Sequence, residues 1–188
     1  MTRIIAGFAG SRELKVPAAG TRPTSDRVRE AIFSALEARD SIDGASVLDL
    51  YAGSGALGLE ALSRGAASVV LVEKNPKAAG IALKNAELIR TAGKLEASAT
   101  RVVTGSVASF LASAAGTFDL VFIDPPYDLP NAEIEACLSA LVPLLSNSAE
   151  VVLERSTRDA APTLPEQLEL VRAKAYGETT IYWIELAN

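Results

Sequence analysis

From Ala45 onward, apolar positions switch back and forth between two periods. Ser46–Tyr51, Ser68–Glu73, Thr100–Thr104, Phe118–Asp124 and Ala149–Glu154 read as strands, and Leu120-Val-Phe-Ile123 is a continuous apolar run of the kind that fills a buried parallel strand. Between them Ala56–Arg64, Pro76–Arg90, Val107–Ala114 and Ala132–Leu145 carry helical spacing. Two longer strands follow back to back, Leu168–Tyr176 and Thr179–Leu186, across a two-residue turn with Gly177 in its first position. This alternation predicts an α/β fold: a mostly parallel seven-stranded sheet with helices on both faces and an antiparallel C-terminal hairpin.

The first residues follow another pattern. Residues 3–8 and 13–16 read as a hairpin, and Pro17 to Pro23 as a loop. Thr24 or Ser25 can cap a helix whose stripe is Val28, Ala31, Ile32, Ala35 and Leu36. Residues 1–39 are therefore expected to be a small hairpin-and-helix extension at the edge of a main domain spanning 40–188.

Charge sharpens this division. The chain of 188 residues carries a net −5, yet residues 1–29 hold Arg3, Arg12, Lys15, Arg22, Arg27 and Arg29 against Glu13 and Asp26. That segment is +4 and the remainder −9, which points to a local polyanion contact by the N-terminus. No apolar run approaches the ~20 residues needed to span a bilayer. The N-terminus is too poor in apolar residues for a secretory signal, so a cytoplasmic location is expected. There is no histidine and one cysteine, Cys137, spaced with Ile134, Leu138 and Leu141 as a core thiol. Histidine-based nucleophilic catalysis is excluded, and no metal site is expected.

Two stretches carry candidate chemistry. Val47-Leu-Asp-Leu-Tyr-Ala-Gly-Ser-Gly-Ala-Leu-Gly58 runs from a strand into a helix. Gly53 and Gly55 allow a tight turn and a close ligand approach, with Tyr51, Ala52 and Ser54 around them. Asp49 just before the turn could meet a cationic group. Glu73, followed by Lys74, ends the next strand, where a carboxylate can accept from both hydroxyls of a ribose. Gly53-x-Gly55-x-x-Gly58 also matches a dinucleotide fingerprint, so a nicotinamide enzyme competes. Against it, Asp49 would repel a pyrophosphate. Ser106 and the amide of Val107 could touch an adenine edge, although a serine cap explains Ser106 equally well.

The second stretch is Asp124-Pro125-Pro126-Tyr127 at the end of the apolar strand. Asp124 and Pro125 each precede a proline and are pushed towards extended backbone. The prolines offer no amide donors, so the corner is stiff and rich in acceptors, with Tyr127 as a flat stacking surface. It suits a planar group bearing an NH2. Read alone, the four residues are equally a proline-rich turn.

On these motifs the chain resembles class I S-adenosylmethionine-dependent methyltransferases. Within them it is similar to the RsmD family, through Arg3-Ile-Ile-Ala-Gly7, Arg22-Pro-Thr-Ser-Asp-Arg-Val-Arg-Glu30, Tyr51 to Arg64 and Asp124-Pro-Pro-Tyr127. The resemblance implies a Rossmann-like class I methyltransferase fold and S-adenosyl-L-methionine as cofactor. It implies methyl transfer to the exocyclic N2 of a guanine in bacterial 16S rRNA, within a small ribosomal subunit or its assembly intermediate, by a monomer. The cofactor set would be Asp49, Tyr51, Ala52, Gly53, Ser54, Gly55, Glu73, Lys74, Ser106 and Val107. Asp124, Pro125, Pro126 and Tyr127 would be catalytic. Arg3, Arg12, Lys15, Arg22, Thr24, Arg27 and Arg29 would contact RNA. Relatives in the superfamily place an acid near Ser106, a departure here. DNA adenine N6 and protein glutamine are alternative acceptors that the same corner could serve.

Overall fold

The computed structural model describes residues 2–17 and 26–187. In chain order the elements are β1 (Thr2–Arg3), β2 (Glu13–Leu14), α1 (Asp26–Glu37), β3 (Ser46–Leu50), α2 (Ala56–Ser63), β4 (Ser68–Glu73), α3 (Pro76–Gly93) and β5 (Thr100–Thr104). They continue as α4 (Val107–Ser113), β6 (Phe118–Ile123), α5 (Asn131–Leu141), β7 (Leu145–Ser156), β8 (Leu168–Tyr176) and β9 (Thr179–Leu186).

One sheet of seven strands has the order β5-β4-β3-β6-β7-β9-β8. The pairs from β5 to β7 are parallel, and β9 runs antiparallel to both β7 and β8. The apolar runs have the composition of strands buried on both faces, and they are. Phe122, Val152 and Trp183 pack with Ile32 and Phe33 of α1, Leu59 and Leu62 of α2 and Ile89 of α3. Val121, Ile123 and Leu153 turn the other way, to Phe110 of α4 and to Ile134 and Leu138 of α5. Each such side chain contributes roughly 1.5–3 kcal/mol. Chain order reverses between β3 and β6, so a crevice opens beyond their C-terminal ends, where such sheets bind ligands.

Several boundaries differ from the pattern reading, among them the end of α5, which stops at Leu141 rather than Leu145. β7 begins at Leu145, four residues early, because polar Ser146-Asn147-Ser148 lies in an exposed stretch of real strand. α3 continues to Gly93 and stops where Lys94 adopts a left-handed φ of 53°. The N-terminal strands shrink to two residues each, paired Thr2 to Leu14 and Arg3 to Glu13. Ile4 still bonds across to Arg12 and Ser11, and beyond it the chain leaves the hairpin because α2 offers partners. Glu60 Oε2 and Oε1 accept the amides of Ile5 at 2.6 Å and Ala6 at 3.0 Å. Ser63 Oγ accepts the Ala9 amide at 3.0 Å. Gly7 makes this approach possible: its φ is +78°, and a Cβ there would stand 1.8 Å from the Ser63 carbonyl oxygen. Ile4, Ala9 and Leu14 thus join the core beneath α1 to α3.

Candidate active site

The glycine loop sits on β3's C-terminal end. Tyr51 takes a left-handed φ of 62°, strained for an aromatic residue, and turns the chain towards α2. Its ring packs towards α5, and burial pushes its phenol up. Gly53 has φ +56° and nothing within 4 Å of a Cβ, so its Cα faces open space. At Gly58 a Cβ would lie 2.6 Å from both Leu71 and Val69, which lets α2 lie directly on β4.

All three glycine amides are occupied from within. Gly53 N–H donates to Glu73 Oε2 at 2.9 Å, Gly58 N–H to Asp49 Oδ2 at 2.8 Å, and Gly55 N–H to the Ala52 carbonyl at 2.7 Å. Two of these acceptors are carboxylates. A loop whose amides already hold anions has little left for a pyrophosphate.

Register brings the acids together. Asp49 pairs with Leu71 of β4 and Phe122 of β6, so Glu73 and Asp124, each two residues further on, project on the same side of the sheet. Asp49 is buried, and burial pushes its carboxyl up to about 7; the Gly58 amide lowers it, while Asp124 and Glu73 raise it. One cavity of about 500 Å³ opens over this face. Asp49, Tyr51, Ala52, Gly53, Ser54, Glu73 and Lys74 line it, as do Val107 and Asp124 to Tyr127. The volume is that of a small-molecule site. Its chemistry, carboxylates gathered around an open glycine, fits a cationic ligand that also carries hydroxyls.

Asp124 is half-buried and Pro125 buried, while Pro126 and Tyr127 are exposed. The Tyr127 hydroxyl lies 3.5 Å from Thr179 Oγ1, which donates to Glu154 Oε1 at 3.3 Å. Beyond the corner, Arg155 donates to the Leu129 carbonyl and to Asn131 Oδ1, both at 3.0 Å, and pins the loop to β7. Pattern reading missed Arg155 because a cation inside an apolar strand has no periodic signature. Gly55 is buried under α2 and does not line the cavity, and Ser106 lies outside it, exposed, capping α4 by accepting the Ser109 amide at 3.1 Å.

Arg29 is the main correction. It is 1% exposed, with its Nη2 donating to the Arg3 carbonyl at 2.8 Å and to Asp26 at 2.6 Å. It stands one residue after Val28 and three before Ile32, on the buried stripe of α1. It therefore braces the N-terminal strand, forms part of the cavity wall itself and presents no guanidinium to bulk solvent. Arg3, Arg12, Lys15 and Arg27 are exposed. Arg22 and Thr24 lie outside the described residues. Thr2, Val16 and Pro17 form part of the cavity wall. Asn85 holds that wall: its Nδ2 donates to the Lys15 carbonyl at 2.8 Å and the Ser54 carbonyl at 2.9 Å, and its Oδ1 accepts the Lys15 amide at 3.0 Å. Cys137 is buried and its thiol is pushed up to about 12, as befits a core residue. Among the described residues no helix is long and apolar enough to cross a membrane.

The family model described as conserved hypothetical protein 95 matches residues 2–185. The chain is 38% identical over 177 residues to ribosomal RNA small subunit methyltransferase D of Escherichia coli strain K12, covering 94% of this chain and 85% of that protein. The solved structure of the Escherichia coli protein yhhF superposes with a TM-score of 0.85 at 34% identity, over 98% of this chain and 97% of that one. Magnesium protoporphyrin IX methyltransferase from Synechocystis, solved with bound SAM, shares the fold alone, with a TM-score of 0.65 at 17% identity over 89% and 87% of the two chains.

Proposed function

This chain belongs to the ribosomal RNA small subunit methyltransferase D family, and on that premise we propose that it methylates the exocyclic N2 of a guanine in bacterial 16S rRNA, using S-adenosyl-L-methionine. The observation that carries the reading is a shared cavity: the Asp124–Tyr127 corner and the Asp49, Gly53, Glu73 loop open into one space. A methyl group can pass between ligands held at those two places without crossing solvent.

The bound cofactor supplies a methyl group on a positively charged sulfur. Glu73 retains lone pairs for ribose hydroxyls beyond the bonds it accepts from Gly53 and Asn75. Asp49 meets the positive charge, Gly53 lets the ligand come close to the backbone, and Val107 closes the apolar side of the adenine slot. Asp124 and a backbone carbonyl beside Pro125 accept hydrogen bonds from the two amino hydrogens of the guanine, which favours a pyramidal nitrogen with its lone pair turned to the cofactor side; the one proton that the methylated nitrogen must lose passes through Asp124 to solvent, and the donor sulfur leaves as a neutral thioether. Tyr127 stacks on the base. The rate comes from positioning in line rather than from a strong base, as a chain without histidine requires.

Taking the base out of its stack costs a few kcal/mol, and stacking on one aromatic returns about 1–3 kcal/mol. A base already exposed in a loop is the easier target. Arg3, Arg12, Lys15 and Arg27, with Arg22 and Thr24, hold flanking phosphates on a small-subunit particle or its assembly intermediate, and the protein acts as a cytoplasmic monomer.

Mass spectrometry of 16S rRNA nucleosides from cells with and without the gene tests this directly. Loss of N2-methylguanosine is expected; identical nucleoside content overturns the assignment. Calorimetric titration separates the cofactors: S-adenosylhomocysteine binds and NAD does not.

A further inference from the structure

We propose that the face of β8 nearest the catalytic corner is a second RNA-binding surface, a short cationic track for phosphates flanking the target base. The inference rests on the RNA reading above. Arg172, Lys174 and Tyr176 oppose Trp183, Ile181 and Thr179 across the β8–β9 pair, so all three point to one side of the sheet. β8 is the sheet's outer strand, and every residue from Glu169 to Ala175 is exposed.

The two cations of this strand are held by aromatic rings. Arg39, Arg155 and Arg158 each sit against a carboxylate, and Arg64 sits against Glu60 as well as 4.8 Å over the Phe33 ring. Among the described residues, Arg172 and Lys174 have no ion pair. The Arg172 guanidinium lies 5.4 Å over the Trp183 ring, and the Lys174 ammonium 4.8 Å over the Tyr176 ring. A ring fixes a cation's position and leaves its donors open to an anion, whereas a carboxylate neutralises it.

The track leads to the site. β8 runs parallel to β7, so Tyr176 lies at the same end of the sheet as the Asp124 loop. Tyr176 pairs with Thr179, whose hydroxyl is 3.5 Å from that of Tyr127. From Tyr176 back to Arg172 the strand covers about 13 Å. Charge limits the track at both ends. Glu169 pairs with Glu185 at the far end, and Glu178 in the near turn pairs with Arg158. In a chain of net −5, the cationic half of this strand is therefore the half beside the catalytic corner.

Charges on an edge strand also block pairing with another copy, and the test must separate that role from RNA binding. The variants are Arg172→Gln/Lys174→Gln and Arg172→Glu/Lys174→Glu; both positions are exposed, so the fold is retained. Calorimetry with S-adenosylhomocysteine is expected to give unchanged affinity. On small ribosomal subunits from cells lacking the gene, KM is expected to rise, most for the charge reversal, with kcat little changed. The slope of log affinity against log salt for 16S rRNA is expected to become shallower by about 1.4–1.8, the release expected from two phosphate contacts. Unchanged KM and salt slope overturn the proposal. So does a neutral variant that self-associates in sedimentation while keeping wild-type RNA affinity, which would make these residues edge guards. If the wild-type protein transfers no methyl to those subunits, the RNA reading itself fails.

Discussion

Two carboxylates are buried at α2, Glu60 on the helix itself and Asp49 beneath it on β3, and they are treated in opposite ways. Glu60 accepts two backbone amides from the N-terminal segment and the Arg64 guanidinium at 2.7 Å. Its charge is compensated by neighbours that never leave. Asp49 accepts one amide and faces Asp124 and Glu73, two further acids, across a cavity. Its charge is opposed by its surroundings. A compensated buried acid is a structural tie. An opposed one at a cavity suits a positive ligand, since a fold gains nothing by gathering like charges for its own sake.

Substitutions can break this contrast. The largest effect is expected at the acid proposed to meet substrate: Asp124→Ala is expected to lower turnover by at least about 100-fold, the scale of lost alignment at a reacting centre. Its affinity for S-adenosylhomocysteine stays unchanged; retained turnover would remove Asp124 from the chemistry. Next comes Glu60→Ala, which strands Arg64 and two amides and is expected to cost about 3–5 kcal/mol of stability. Urea unfolding measures it, and a loss below about 1 kcal/mol, the level of an exposed pair, would show that the N-terminal segment is held by its apolar contacts alone.

The smallest effect sharpens the comparison through pH. Because the folded carboxyl of Asp49 is raised to about 7, the folded chain holds more protons than the unfolded one between the usual carboxylate range and that value. Its contribution to stability therefore falls as pH rises through this window and is level above it. Asp49→Asn, which keeps an acceptor for Gly58, is expected to flatten that slope. A cationic ligand favours the ionised carboxylate, so binding near pH 6–7, the window set by Asp49, releases a proton in the wild type and none in the variant. Calorimetry in buffers of different ionisation heat reads this out; equal heats for both proteins would return Asp49 to the class of Glu60.

Much of the fold was legible because periodicity alone encodes it. β4, β5, β8 and β9 begin and end where the pattern places them. The acids of the cavity were legible too, since each ends or nearly ends an apolar run. Glu60 and Asn85 were not. Their partners are backbone groups 31 to 70 positions away, and a backbone amide leaves no mark in a sequence. Arg29 was misread for a related reason: a guanidinium counts as surface charge until a carbonyl and Asp26 enclose it.

The double grip of Asn85 on Lys15 and Ser54 bears on how this protein can be trimmed or recombined. Thr2, Val16 and Pro17 wall one side of the chamber that Asp49, Glu73 and Asp124 also line, and Arg3, Arg12 and Lys15 beside them are exposed. Removing them to obtain a minimal enzyme would leave that chamber unwalled on one side. Grafting them from a relative would succeed only where an asparagine waits on the third helix to receive them.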